Sequence, residues 1–269
     1  MTSMPRGSPP ILRDKHYDAP SAFTPESLLR EARRQKNVVQ TVIPEVCVLD
    51  PDGDIVRHLR VTNRARPTEG WACYHSEMDS FEHGGRGYGI VGCAVGAPYA
   101  VLLAEQMFAS GCRLLISITS SGQIRSLRPP PYFIVIERAL RDEGTSHHYL
   151  PVSDYAEADP ALLGTIAEAL SRAAEPVERG ATWTTDAPYR ETEQAIEAAR
   201  AKGILAVEME AAALYAFARA RAKAVLCFAH VTNQMGQTGD FEKGEANGAI
   251  ASLSVIDAVA AAWLGAQPP

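Results

Sequence analysis

The chain has 269 residues, 46% of them hydrophobic, and a formal net charge of −6 from 26 basic and 32 acidic side chains. That is enough to bury the core of one sizeable domain, and an acidic chain without a basic stripe excludes a nucleic-acid backbone as partner. The five cysteines, Cys47, Cys73, Cys93, Cys112 and Cys227, are odd in number and lack the close pairing of a structural zinc site, so they are expected to be reduced thiols of a cytoplasmic protein without a metal.

Residues 1–37 are expected to form an N-terminal arm and a short helix, and residues 38–269 a single domain. Pro5, Pro9, Pro10 and Pro20 leave the opening residues little apolar periodicity, and Met1 to Arg6 lacks the apolar stretch of a secretory signal. Thr24-Pro25-Glu26 then supplies a cap, a first-turn proline and a first-turn acid for a basic helix through Leu28, Leu29 and Arg34. Beyond it, apolar and β-branched runs at 46–49, 88–95, 114–118, 133–136, 205–207 and 225–231 suit strands covered on both faces. Helices alternate with them: Pro98 opens one through Leu102, Leu103 and Met107 to a stop at Gly111, and 209–222 is apolar and Ala-rich enough to be buried. The tract 249–265, interrupted by Asp257, reads as a packed C-terminal helix and not as a membrane span. This alternation predicts the α/β class: one domain with a mostly parallel, twisted central sheet flanked by helices, and no internal repeat.

Three glycine-bearing segments and one acidic pair carry the chemistry. Gly85-Arg86-Gly87-Tyr88-Gly89 precedes a strand instead of following one, which fails the context of a dinucleotide fingerprint. Thr119-Ser120-Ser121-Gly122 does follow a strand, where hydroxyls and N–H groups cradle an anion about as readily as they form a solvated turn. Pro51-Asp52-Gly53-Asp54-Ile55-Val56-Arg57 sets a flexible turn beside a guanidinium, whose fork of donors suits phosphate oxygens. The sharpest feature is Val207-Glu208-Met209-Glu210-Ala211, two carboxylates one residue apart where a strand gives way to a buried helix. Acids in a first turn ordinarily compensate the helix dipole, but the apolar residues at 205–207 and 211–217 leave Glu210 little solvent, which points to a functional carboxylate. His147-His148 has no third ligand at metal spacing and is expected at the surface, and Trp71-Ala72-Cys73-Tyr74 is expected in packing or a subunit contact. Without a Gly-x-Ser-x-Gly elbow, neither Ser120 nor Ser121 reads as a hydrolase nucleophile.

Glu208-Met209-Glu210-Ala211, the segment ending in Thr119-Ser120-Ser121-Gly122, Gly92 with Gly96-Ala97-Pro98, and Gly53-Asp54 with Arg57 occur in the order and approximate spacing of the nucleoside phosphorylase-I family, which the chain resembles over 46–264. The resemblance implies a pentosyltransferase that splits the N-glycosidic bond of a purine nucleoside or uridine, with inorganic phosphate as co-substrate and no cofactor, to free base and ribose 1-phosphate. A nucleosidase using water and a non-catalytic nucleoside-binding homologue are the alternatives. It implies that Glu208, Met209 and Glu210 lie at the ribose, Gly53, Arg57 and Ser120 at the phosphate, and Thr185, Asp186, Tyr189 and Asn233 at the base, with Glu210, Asn233 and Arg57 in the catalytic roles. Asn233 stands where purine phosphorylases often carry an aspartate. A homo-oligomer, dimer or hexamer, is implied as well, in which a neighbouring subunit donates an arginine; Arg64, Arg66 and Arg86 are the residues considered for it. Two positions depart from the family pattern: Ser117 replaces an arginine expected at the phosphate, and Gly53-Asp54-Ile55 replaces Gly-Asp-Pro. Neither nucleic acid nor membrane is expected as a partner.

Overall fold

The apolar runs become the inner strands of one sheet in the computed structural model of the chain, which describes residues 9–235 and 241–267. Pro5 and the Met1-to-Arg6 stretch lie outside the described residues. The elements run α1 (Pro25–Lys36), β1 (Val46–Asp50), α2 (Asp54–Val61), β2 (Arg66–Pro67), β3 (Asp79–His83), β4 (Arg86–Gly92), α3 (Ala97–Ala109), β5 (Leu114–Gln123) and β6 (Tyr132–Asp142). They continue with β7 (Tyr155–Glu157), α4 (Pro160–Ser171), β8 (Val177–Thr185), α5 (Glu193–Ala201), β9 (Ala206–Glu208), α6 (Ala211–Arg221), β10 (Ala224–Gln234) and α7 (Ala249–Gly265). Across the sheet the order is β10-β6-β8-β9-β5-β1-β4-β3-β2, with β7 beside β6 and β10 bonded to β5 as well.

That last pairing corrects the expected sheet. β5, β10, β6, β8 and β9 close on themselves as a barrel, and the sheet is mixed: β4, β1, β5 and β10 run parallel, whereas β6 is antiparallel to β10 and β9 to β5. An apolar run looks the same in either direction, so direction rests on the connections. Gly84 and Gly85, at φ +55° and +76°, form the two-residue turn that folds β4 back on β3, and the run from Arg86 to Gly89 belongs to the strand itself.

The turn expected at 51–57 is a helix start. Gly53 caps α2, which buries Ile55, Val56 and Leu59. α1 starts where Thr24 caps it, its side chain accepting the Ser27 N–H, and Leu29 and Ala32 bury against Ala72. α7 buries Leu253, Val255, Ile256, Val259, Ala260 and Trp263, so a segment long and apolar enough to cross a membrane spends that surface on α4 and α2. Asp257, which interrupts the tract, pairs with Arg86 at 2.8 Å and accepts the Tyr88 hydroxyl at 2.7 Å.

Candidate active site

The site lies where two neighbours of β5 stop short of each other. β1 pairs with β5 as far as Leu49–Ser117, and β9 only from Val207–Gly122, so one edge of β5 is open at 118–121. Thr119 to Gly122, expected as a turn after the strand, therefore remains strand, and the N–H and hydroxyl of Ser120 face the gap at the carboxyl ends of β1 and β5.

The loop from β1 to α2 closes that gap. Ser120 donates its backbone N–H to Asp52 Oδ2 and its hydroxyl to Asp52 Oδ1, both at 2.6 Å. Beneath the loop, buried Asp50 accepts the N–H groups of Gly53 at 3.1 Å and Val56 at 2.9 Å, and burial raises its pKa to about 7. Gly53 is required here: at φ +75°, a Cβ would come within 2.7 Å of Cys93 Sγ and 2.8 Å of Arg57 Nη1. Arg57 donates to the Asp52 carbonyl at 2.6 Å and pairs with Asp54 Oδ1 at 2.8 Å, while Lys243 reaches Asp54 Oδ2 at 2.5 Å. Burial works to raise the Asp54 carboxyl, but the bonds from Lys243 and Arg57 hold it below its usual range.

The two glutamates between β9 and α6 have different surroundings. Glu208 is saturated: Oε1 accepts the hydroxyls of Thr182 at 3.1 Å and Thr184 at 2.5 Å, and Oε2 accepts the N–H groups of Glu210 and Ala211, both at 2.7 Å. It ties β8 to the first turn of α6. Glu210, 1% exposed, accepts the Gly96 N–H on Oε1 at 2.6 Å, while its buried Oε2 has no partner among the described residues. Burial first, then the neighbouring Glu208, raises the Glu210 pKa to about 8, against the opposing pull of the Gly96 N–H. A buried carboxyl with one oxygen fixed and one free is ready to take a hydroxyl-rich or cationic ligand.

Other expected residues have different fates. Met209 is half-buried between the two glutamates. Asn233 follows a bulge in β10; its Oδ1 accepts the Thr232 hydroxyl at 3.3 Å, and among the described residues its amino group has Met235 Sδ, at 3.9 Å. Thr185 accepts the Ala187 N–H and Asp186 the Gly144 N–H, so both brace the loop after β8. Tyr189, 99% exposed, covers nothing among the described residues. Ser117 is buried with its hydroxyl unpartnered, between β1 and β10. Arg86 is held by Asp257, Arg64 bonds to His83, and Arg66 donates to the carbonyls of Asn63 and Ala65. His147 faces Arg141 and His148 faces Lys15.

Sequence reading missed Asp52, Lys243 and His230. Asp52 was visible only as one acid of a turn, although three acids around Gly53 signal competing roles. His230 pairs in register with Ser120 and stacks on Phe133 at 4.7 Å; burial lowers its pKa to about 4, so it presents a neutral imidazole.

A sequence model of the phosphorylase superfamily matches residues 53–262. The chain is similar to a DeoD-type purine nucleoside phosphorylase from Myxococcus xanthus, 32% identical over 136 residues, which are 50% of this chain and 57% of that one. It is also similar to a guanosine phosphorylase from Halorubrum lacusprofundi, 27% identical over 130 residues, covering 48% and 54% of the two chains. The chain thus spans little more than half the length of these curated relatives. Among solved structures, a uridine phosphorylase from Vibrio fischeri ES114 complexed with 6-hydroxy-1-naphthoic acid superposes with a TM-score of 0.68 at 23% identity, over 87% of this chain and 99% of that one, and shares its fold.

Proposed function

The chain belongs to the phosphorylase superfamily, and from that premise we propose that it is a nucleoside phosphorylase that cleaves the N-glycosidic bond of a purine nucleoside or uridine with inorganic phosphate. The observation that carries this reading is Glu210, a buried carboxyl with a free oxygen beside an oxyanion seat. Cleavage builds positive charge on the sugar and negative charge on the departing base. Glu210 accepts ribose hydroxyls and offsets the sugar's charge, with Met209 against the ring. Gly53, Arg57 and Ser120 seat the phosphate, and the amino group of Asn233 donates to the base. The Asp52 carboxylate on Ser120 supports the seat as one for oxyanions, because a carboxylate accepts the two donors that a phosphate would take there. In a homo-oligomer, a dimer or hexamer, a neighbouring copy donates a further arginine to the phosphate, for which Arg64, Arg66 and Arg86 are the residues considered.

One observation favours a second reading. Entry of phosphate requires Asp52 to leave Ser120, whereas a water placed beside Asp52 would find a base already in position, which favours hydrolysis. Following base release while phosphate is titrated from zero, with the sugar product identified, separates the two. Saturable dependence and ribose 1-phosphate are expected; undiminished release of free ribose without phosphate establishes the nucleosidase.

The base preference is expected to follow Asn233. An amide donates to an oxo group or ring nitrogen but cannot transfer a proton to a 6-amino purine as a carboxylic acid does. Inosine, guanosine or uridine should therefore show a higher kcat/KM than adenosine, and a ranking led by adenosine would remove Asn233 from the role.

A further inference from the structure

We infer that Lys243 is the second cation of the oxyanion seat and supplies the positive charge that Ser117 does not. The inference rests on the phosphorolysis reading and adds a residue to it.

The seat has a defined occupant. Asp52 fills it through both of its oxygens, so Ser120 N and Oγ mark where an incoming oxyanion binds. On β5 itself no charge is available: Ser117 is buried, uncharged and without a partner for its hydroxyl. Arg57 is the cation that the local sequence provides, and it reaches the seat from α2 through the Asp52 carbonyl.

Lys243 arrives from 189 residues away and takes the other oxygen of the carboxylate that Arg57 holds. Asp54 is thus a bridge that sets two cations side by side at the first turn of α2, which opens on the seat. The segment carrying Lys243 is tied to β10: Glu242 donates its N–H to the Thr232 carbonyl at 2.8 Å, and Gly244 donates to Glu242 Oε1 at 2.9 Å. His230 locates Lys243 relative to the seat. Its backbone pairs with Ser120, and its ring and the Lys243 carbonyl both pack against Gly248, where a Cβ would meet them at 2.2 Å and 2.7 Å.

The charges explain why a lysine serves there. With Asp52 in the seat, Asp52 and Asp54 balance Arg57 and Lys243. When a phosphate dianion displaces the Asp52 side chain, Asp54 still neutralises one cation, and the ammonium, on a flexible four-carbon stem with three donors, is free to follow the new oxyanion without leaving Asp54. A guanidinium on β5 would be fixed in the seat; Lys243 is brought to it by the chain after β10.

The test is phosphate-dependent kinetics of the full chain at saturating nucleoside, with Lys243→Gln, Lys243→Arg and wild type. Loss of one charge-assisted bond is expected to raise the phosphate KM of Lys243→Gln by roughly ten- to a hundredfold, with the nucleoside KM within about threefold of wild type. Lys243→Arg should recover most of the phosphate affinity. Thermal melting with and without inorganic phosphate provides a readout independent of turnover: the Tm increase of wild type should shrink in Lys243→Gln. A phosphate KM and a Tm increase unchanged in Lys243→Gln, with wild type still phosphate-dependent, overturn the role of Lys243 alone, as does a raised nucleoside KM with the phosphate KM unmoved. Wild-type cleavage that ignores phosphate, with no phosphate effect on Tm, overturns both the role and the phosphorolysis reading.

Discussion

Glu210→Ala is expected to lower kcat by at least roughly a hundredfold while the protein stays folded, the scale of removing one preorganised electrostatic group. The fold survives because the side chain contributes a single hydrogen bond, from Gly96, and its other oxygen is buried without a partner among the described residues. The pH dependence identifies the cause. Glu210 has its pKa raised from 4.5 to about 8 by burial and by Glu208, and the ionised form is the one that offsets a cationic sugar. In wild type, kcat/KM should therefore rise with pH through about 8, because that ratio reports groups of the free enzyme.

Stability should move the other way. A folded-state pKa above the unfolded one means that the native protein holds the proton more tightly, so this contribution is complete below 4.5 and is lost as pH rises through about 8. The loss is on the order of 5 kcal/mol at most, and Glu210→Gln should remove that part of the slope. Asp50, raised to about 7, adds to the same trend and leaves a residual slope in the variant. A folded Glu210→Ala protein with near-normal kcat would show that the carboxyl is not at the reacting sugar.

Glu208→Ala is expected to act on folding first, costing roughly 3–5 kcal/mol and on the order of 10 °C in Tm. Its carboxylate is the acceptor for Thr182, Thr184 and the N–H groups of Glu210 and Ala211, and alanine leaves all four donors buried in a cavity. Glu208→Gln should be much milder. Its amide oxygen can keep the two backbone N–H groups while its amino group faces the threonine hydroxyls, which can turn to accept. Because Glu208 raises the pKa of Glu210 through its charge, the glutamine variant should also shift the rise in kcat/KM to lower pH. Urea unfolding with a pH–rate profile measures both; an alanine variant as stable as wild type, or a profile unmoved in the glutamine variant, contradicts the assignment.

The sequence by itself determined the elements whose burial leaves a local pattern. Residues 46–49 and 225–231 are apolar because β1 and β10 are covered on both faces, Pro98 and Gly111 bracket α3, and the 249–265 tract matches α7. The isolation of Glu210 was legible for the same reason, since its neighbours in β9 and α6 are apolar and no solvent was left for it. Only the tertiary structure decided how these pieces meet. Strand direction and the closure of β10 on β5 leave no period in the chain, so a mostly parallel, twisted sheet was expected where a mixed sheet with a closed barrel forms. The site depends on contacts across 68 residues between Asp52 and Ser120, 114 between Gly96 and Glu210, and 189 between Asp54 and Lys243. Hydrophobic periodicity reports which face of an element is buried; which distant side chain meets a given polar atom is set by the packing of whole elements, and here that packing put Asp52 on Ser120 and Lys243 beside Arg57.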